Sequence, residues 1–176
     1  MTDPLRAPLA GIFGRRSIRV FAPGEVSEAA LTAMLEAAMA APSAVAKDPW
    51  RFVVVRRRET LVAMANALPH GAMLATAPVG VLVAGDLEAA HDRQLSYLLQ
   101  DCSAAIENLL VAAHLLGLGA VWLGVHPRQD RIRAIRAMLS LPPQVIPVSA
   151  IALGPPGEQK EARTRFDAAY VHYETW

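Results

Sequence analysis

One long apolar segment, from Arg93 to Leu116, constrains the fold of this chain more than any other feature. Its alanine and leucine content predicts a helix, and most of its polar side chains lie in one narrow stripe, spaced three, four or seven residues apart: Gln100, Ser103, Glu107 and His114. A helix with so little polar surface must be covered on most sides, so we predict a long buried central helix. Its charged and polar groups would be costly in lipid, which argues against a membrane span.

The remaining segments predict a sheet flanked by helices. Runs rich in β-branched and aromatic residues predict four buried strands, at 50–55, 78–84, 120–125 and 145–153. Capping residues and prolines predict helices from an Asp3-Pro4 cap to about Gly14, over 28–41, over 59–68 and over 130–139. We expect one α+β or α/β domain over residues 1–176, in which the charged and aromatic residues 155–176 form an extended arm laid on another surface.

Composition indicates an oligomer and argues against a nucleic-acid-binding protein and against a secreted one. Hydrophobic residues make up 53% of the chain and charged residues 19%, which is rich in apolar groups for a monomer of this length. The formal net charge of +1 argues against nucleic-acid binding. A single cysteine cannot form an internal disulfide, and no basic segment precedes an apolar run at the N-terminus, so we expect a cytoplasmic protein without a signal peptide.

No set of residues predicts acid–base, metal or covalent catalysis. The five histidines lack metal-ligand spacing, and Cys102, which has apolar neighbours in the predicted central helix, is typical of a structural thiol. The glycines Gly117, Gly119 and Gly124 follow a helix instead of a strand, which favours a helix C-cap over a dinucleotide-binding loop. If the chain is an enzyme, we expect a cofactor to carry the chemistry.

Four segments remain as candidates for holding a cofactor. In an extended stretch at 15–21, Arg15, Ser17 and Arg19 would share one face and offer donors to a phosphate, although the same residues also suit a solvated turn. The small residues at 41–44 permit close approach to a flat ligand or simply end a helix. The glycine-rich stretch at 117–124 could bring backbone groups to a ligand ring. The last segment adds two guanidiniums, those of Arg163 and Arg165.

Taken in this order, the segments resemble the nitroreductase family of flavoproteins. The matching stretches are RRSIRVF at 15–21, APSA at 41–44, PW at 49–50, the helix pattern DxxxAxxNLLxAAxxLGLG at 101–119, and WLG at 122–124. A strand that ends in Leu-Gly, a proline-containing turn and C-terminal basic residues complete the series. The resemblance covers roughly residues 12–176 and implies an α+β fold with a mixed or antiparallel sheet of about four to five strands.

The resemblance implies FMN as the cofactor. Arg15, Arg16 and Ser17 would hold the phosphate and the ribityl chain. Arg19 would lie near the pyrimidine end of the ring, where a cation favours the anionic reduced flavin. Two residues of the arm would close on the phosphate, namely Arg163 and Arg165.

The resemblance also implies a homodimer with FMN at the subunit interface. Pro42, Ser43 and Ala44 would come from the partner subunit and line the flavin, whereas Leu123 and Gly124 would present backbone to the ring near N5. The central helix would pack in the dimer core, and the arm would embrace the partner. The activity implied is ping-pong transfer from NADH or NADPH through the flavin to a nitroaromatic, a quinone or a similar flat acceptor, with no catalytic side chain and no metal.

The chain departs from the family pattern in one loop. Ala46 and Asp48 stand where the family usually has asparagine and often glutamine, so a polar contact to flavin or substrate is missing. This mismatch keeps open a flavin-binding protein with little turnover. A specialised dehydrogenase or reductase with one physiological substrate is a second alternative, and a plain structural domain, which would require four accidental motif matches, is a third. The sequence does not name the acceptor or choose between NADH and NADPH.

Overall fold

The computed structural model describes residues 4–176 and has four strands in one antiparallel sheet. The α-helices of these residues are α1 (Ala10–Gly14), α2 (Glu28–Met39), α3 (Arg58–Ala67), α4 (Leu95–Leu115) and α5 (Gln129–Leu139). The strands are β1 (Trp50–Val55), β2 (Val79–Asp86), β3 (Gly119–Gly124) and β4 (Val145–Gly154), in the order β1-β2-β4-β3. The predicted α+β class is confirmed, and the sheet is of the antiparallel kind.

The N-terminal helix is shorter than the sequence predicts. Its predicted cap, Asp3, lies outside the described residues, and only a turn at 4–6 and a 3-10 turn at Ala7–Leu9 precede α1. Pro8 gives the physical reason, because a proline inside a helix from residue 4 would lack an N–H and clash with the carbonyl one turn earlier. The other predicted elements are confirmed, with ends that shift by two residues at most.

Helices cover both faces of the sheet. Val81 and Val83 of β2 pack in the core beneath α2 and α4, whereas Leu82 and Ala84 pack with α3 and α5 on the other face. β2 and β4 are the two inner strands and are therefore apolar at nearly every position. The predicted central helix is confirmed as α4, whose inner side is fully buried, while Leu115 at its end stays 67% exposed.

The segment that follows α1 runs beside β3, which is an edge strand. Ser17 forms a parallel bridge with Ala120, and Phe21 forms an antiparallel bridge with Pro156. The predicted extended stretch therefore exists as two single bridges and not as a fifth strand. Along residues 4–176, each helix is too short or too polar for the hydrocarbon core of a membrane.

The arm, residues 155–176, begins on the surface beside this segment and then leaves the core. From residue 161 to the C-terminus every residue is exposed. Its large aromatic side chains are 75–100% exposed: Phe166, Tyr170, Tyr173 and Trp176. So much exposed aromatic surface in one segment is typical of a protein–protein contact.

Candidate functional site

A cleft of about 530 Å³ lies between the segment after α1 and the start of the arm. We call it the basic cleft. Its lining contains three predicted site residues from the first segment and four consecutive residues of the arm: Arg16, Ser17, Arg19, Lys160, Glu161, Ala162 and Arg163. Three guanidiniums, an ammonium and a hydroxyl outweigh the single carboxylate, which is a donor set suited to an anion such as a phosphate.

Glu158 fixes one wall of the basic cleft. Its Oε1 accepts hydrogen bonds from the backbone N–H of Arg19 (2.6 Å) and Val20 (3.3 Å) and from Lys160 Nζ (2.9 Å). Lys160 Nζ also donates to the carbonyl of Ser17 at 2.8 Å. The Arg19 N–H most of all, and Lys160 next, lower the pKa of Glu158, so the carboxylate stays ionised. These contacts hold the start of the arm against residues 17–20.

Arg16 ties the arm to the end of α1. Its Nε donates to the carbonyl of Glu161 at 2.9 Å, and its Nη2 donates to the carbonyls of Arg163, at 2.8 Å, and Phe13. Desolvation lowers the pKa of Arg16, and the charges of Arg15, Arg163 and Arg165 lower it further. The structure therefore brings four of the five predicted arginines, all except Arg19, into one cluster of like charge, which a bound anion would stabilise.

Arg15 does not line the basic cleft. Its Nε lies 2.9 Å from Glu107 Oε1 on α4, without the alignment of a hydrogen bond. The predicted shared face of Arg15, Ser17 and Arg19 is therefore wrong, because Arg16 lines the cleft with the other two. Two isolated bridges do not impose the strict two-residue alternation of a regular strand. A phosphate contact for Arg15 stays a prediction.

A second, smaller cleft of about 180 Å³ continues from Arg19 along the open edge of β3. We call it the edge cleft; it is lined by Arg19, Leu68, His70, Val121, Trp122, Leu123, Gly124 and Arg131. The predicted residues Leu123 and Gly124 thus lie beside Arg19. A Cβ added at Gly124 would meet nothing within 4 Å, so open space borders the backbone at that point.

The backbone of Gly124 faces this open edge. Ala120 turns its carbonyl outward to accept from Ile18 N, whereas Val125 N donates inward to β4. Because bonding directions alternate along an antiparallel strand, Gly124 has the same orientation as Ala120. The Gly124 carbonyl accepts from Arg131 Nη1 at 2.8 Å, which leaves the Gly124 N–H as a donor for a polar atom on a flat ring.

Sequence reasoning missed Arg131, His70 and Lys160 among the residues that line these clefts. Lys160 lies close to Arg163 in the charged arm, so proximity in sequence could have indicated it. Arg131 and His70 carry no such signal. An arginine in a helix with several others is typical of a solvated face, and a lone histidine is typical of a surface residue.

The predicted residues Pro42, Ser43 and Ala44 line neither cleft in the described chain. Ala44 N donates to Oδ1 of the buried Asp101 at 2.9 Å. Ser43 Oγ donates to Asp48 Oδ1 at 2.5 Å and accepts from Asp48 N at 3.1 Å. Two of the residues between them take left-handed backbone, with φ of 53° at Val45 and 52° at Ala46. A second copy of the chain would be needed to bring this loop to the clefts, as the resemblance implies.

Comparison with known proteins identifies the family. The chain matches the sequence profile of the nitroreductase family over residues 12–72 and 66–155. It is 46% identical over 168 residues to a proposed NADH dehydrogenase/NAD(P)H nitroreductase of Methanothermobacter thermautotrophicus, which covers 96% of this chain and 87% of the relative. The crystal structure of another proposed NADH dehydrogenase/NAD(P)H nitroreductase, from Bacteroides thetaiotaomicron, has a TM-score of 0.90 at 38% identity. The match covers 97% of this chain and 98% of the Bacteroides chain. A proposed nitroreductase from Desulfovibrio desulfuricans, solved in complex with FMN, has a TM-score of 0.83 at 32% identity. This match covers 100% of this chain and 99% of the Desulfovibrio chain.

Proposed function

The chain belongs to the nitroreductase family, and we propose that it is an FMN-dependent oxidoreductase that passes reducing equivalents from NADH or NADPH to a flat acceptor such as a nitroaromatic or a quinone. One observation carries the proposal: the basic cleft and the edge cleft meet at Arg19. The first suits a phosphate and the second suits a ring. FMN contains both groups, and a relative of the same fold was solved with it.

The residues present fit the chemical parts of FMN. The cluster formed by Arg15, Arg16, Arg163 and Arg165 would be stabilised by a phosphate. Ser17 lines the basic cleft together with Arg16 and Arg163, where its hydroxyl would contact the ribityl chain. The open backbone of Gly124 would face the ring, and Leu123 lies beside it in the edge cleft with its own backbone turned to β4. Arg19 would place a positive charge at the pyrimidine end, which favours the anionic reduced cofactor.

Bound FMN would supply the redox chemistry, namely ping-pong transfer of reducing equivalents from NADH or NADPH to an acceptor that binds after the donor has left. The contribution of the chain is to bind and orient the cofactor and to limit access to it. We assign no side chain as a general acid or base and no metal ligand.

We propose that the active form is a homodimer in which residues 1–176 are one FMN-binding domain and the arm packs on the partner. Support comes from apolar side chains left exposed beside α2 and α4: Ile12 at 58%, Met39 at 51% and Leu115 at 67%. A groove of about 440 Å³ is lined by Ile12, Leu115 and residues of α2 and α4. The family resemblance implies that the second copy contributes its loop 42–44 to the FMN site. The cytoplasmic location stays a prediction.

The visible spectrum of the purified protein tests the proposal. We expect a yellow protein that releases FMN on denaturation, and that bleaches anaerobically on addition of NADH or NADPH. A colourless protein that cannot be reconstituted with FMN would overturn the proposal. FMN binding without bleaching by either donor would favour the second candidate, a flavin-binding protein with little turnover. The loop in which Ser43 Oγ donates to Asp48 Oδ1 supports this candidate, because Asp48 stands where the family often has glutamine.

A further inference from the structure

Arg131 contacts the strand end that is proposed to face the flavin, although it belongs to none of the motifs of the family resemblance. It lies in the first turn of α5, and its Nη1 donates to the Gly124 carbonyl at 2.8 Å. It lines the edge cleft together with Arg19 and Leu123. The contact therefore holds the backbone carbonyl of a residue that borders the proposed ring site.

The Nε of Arg131 is fully buried and has no hydrogen-bond partner among the described residues. A buried donor of a cation without a partner is costly, and such groups in native proteins generally have one. The guanidinium of Arg131 is therefore partly withdrawn from water, which strengthens the electrostatic effect of its charge on a group bound in the edge cleft.

The charge of the edge cleft is uncompensated. Its lining includes Arg19, His70 and Arg131 and no carboxylate. The ion pairs that the structure shows among residues 4–176 do not involve Arg131 or Arg19. Two permanent cations beside an apolar wall favour a group that becomes negatively charged there.

We propose that Arg131 is a positioning residue of the flavin site, a role that rests on the proposed function. It holds the Gly124 carbonyl so that the Gly124 N–H stays turned to the ring. It also adds a second positive charge beside Arg19, which stabilises the anionic reduced cofactor relative to the oxidised one. Loss of this charge lowers the midpoint potential of bound FMN.

The test compares Arg131→Gln with a matched control. Arg133→Gln makes the same change of charge two residues further along α5, at an exposed side chain outside the edge cleft. The midpoint potential is measured by anaerobic spectroelectrochemistry, the FMN Kd by fluorescence, and the melting temperature on FMN-free protein. We expect Arg131→Gln to lower the midpoint potential of bound FMN and to raise the FMN Kd by about tenfold. Arg133→Gln should match the wild type in both the potential and the Kd.

The outcomes separate this proposal from the proposed function. If the wild type binds FMN and Arg131→Gln keeps the potential and Kd of Arg133→Gln, the role of Arg131 is overturned and the function stands. A lower melting temperature with an unchanged potential also overturns it, because the role is then structural. A wild type that binds no FMN overturns the proposed function and this role together.

Arg131→Lys provides a second variant in case Arg131→Gln does not fold. Lysine keeps the charge, but its ammonium cannot reproduce the forked geometry between the Gly124 carbonyl and a second acceptor. Its control is Arg133→Lys. A raised FMN Kd relative to that control supports the proposal, and an unchanged Kd contradicts it.

Discussion

Ile18 packs directly on Gly119, where a Cβ would lie 2.6 Å from Ile18 Cγ2 and 2.9 Å from Ile18 Cβ. The close approach lets Ile18 N donate to the Ala120 carbonyl at 3.0 Å and lets Ser17 form its bridge to β3. The same segment supplies Ser17 and Arg19 to the basic cleft. A backbone without a side chain at one position of β3 therefore sets the shape of the proposed phosphate site.

Gly119→Ala is expected to push Ile18 away from β3. Forcing a methyl into this contact should lower the free energy of unfolding by about 1–3 kcal/mol and weaken FMN binding, which thermal unfolding and fluorescence titration measure. Gly124→Ala is the control for stability, because its Cβ would meet nothing within 4 Å. A Gly119→Ala protein with the melting temperature and FMN affinity of the wild type would contradict this account.

Arg15→Ala is expected to weaken FMN binding if Arg15 turns from Glu107 to the phosphate. Loss of a charged hydrogen bond would cost about 1.5–3 kcal/mol, or roughly ten- to a hundredfold in Kd. The control is Glu107→Gln, which breaks the 2.9 Å ion pair and keeps the arginine. Glu107 is 49% exposed, so its pair is worth at most about 1 kcal/mol. Equal FMN affinity in Arg15→Ala and the wild type would show that the phosphate assignment is wrong.

The stability supplied by Glu158 is expected to depend on pH. Its pKa is lowered in the folded protein by the Arg19 N–H and Lys160. The contribution is therefore present above the unfolded value of about 4.3 and is lost as the pH falls through the lower folded value. Melting temperatures of the wild type and Glu158→Gln should differ by a constant amount near neutral pH and converge in acid. A difference that grows as the pH falls would refute the assignment.

The thiol of Cys102 is expected to be unreactive in the native protein. Burial, together with the neighbouring Asp101, raises its pKa to about 12, so almost no thiolate forms at pH 8. Mass spectrometry after treatment with iodoacetamide should show no label on folded protein and full label in guanidinium chloride. Because the chain has one cysteine, Cys102→Ala gives the unlabelled control. Rapid labelling of the folded wild type would contradict the burial.

Removal of residues 166–176 is expected to weaken the proposed dimer. The truncation deletes the exposed aromatic residues of the arm and keeps Arg163 and Arg165, while Arg16 still holds the Glu161 and Arg163 carbonyls. Since buried aromatic anchors dominate interfaces, the dimer Kd should rise at least about tenfold in sedimentation experiments. The full-length double variant Tyr173→Ser and Trp176→Ser should show a smaller effect. An unchanged dimer Kd after truncation would place the interface elsewhere.

The sequence by itself determined the elements and their order. Strand β1 and helix α4 follow from local composition and spacing, because propensity and periodicity act over neighbouring residues. The order of the motifs also indicated the family. The shortened N-terminal helix is a local effect of Pro8, so it could have been predicted from the sequence.

Only the tertiary structure decided which side chains line the clefts. The backbone after α1 is irregular, so the sequence does not predict the direction of each arginine side chain there. In the structure Arg16 lines the basic cleft, whereas Arg15 forms an ion pair with Glu107. Glu158 reaches Arg19 across 139 residues of sequence. Arg131 donates to the Gly124 carbonyl because the loop between β3 and α5 places the first turn of α5 beside the end of β3. Such contacts depend on the packing of whole elements, which residue type and spacing do not encode locally.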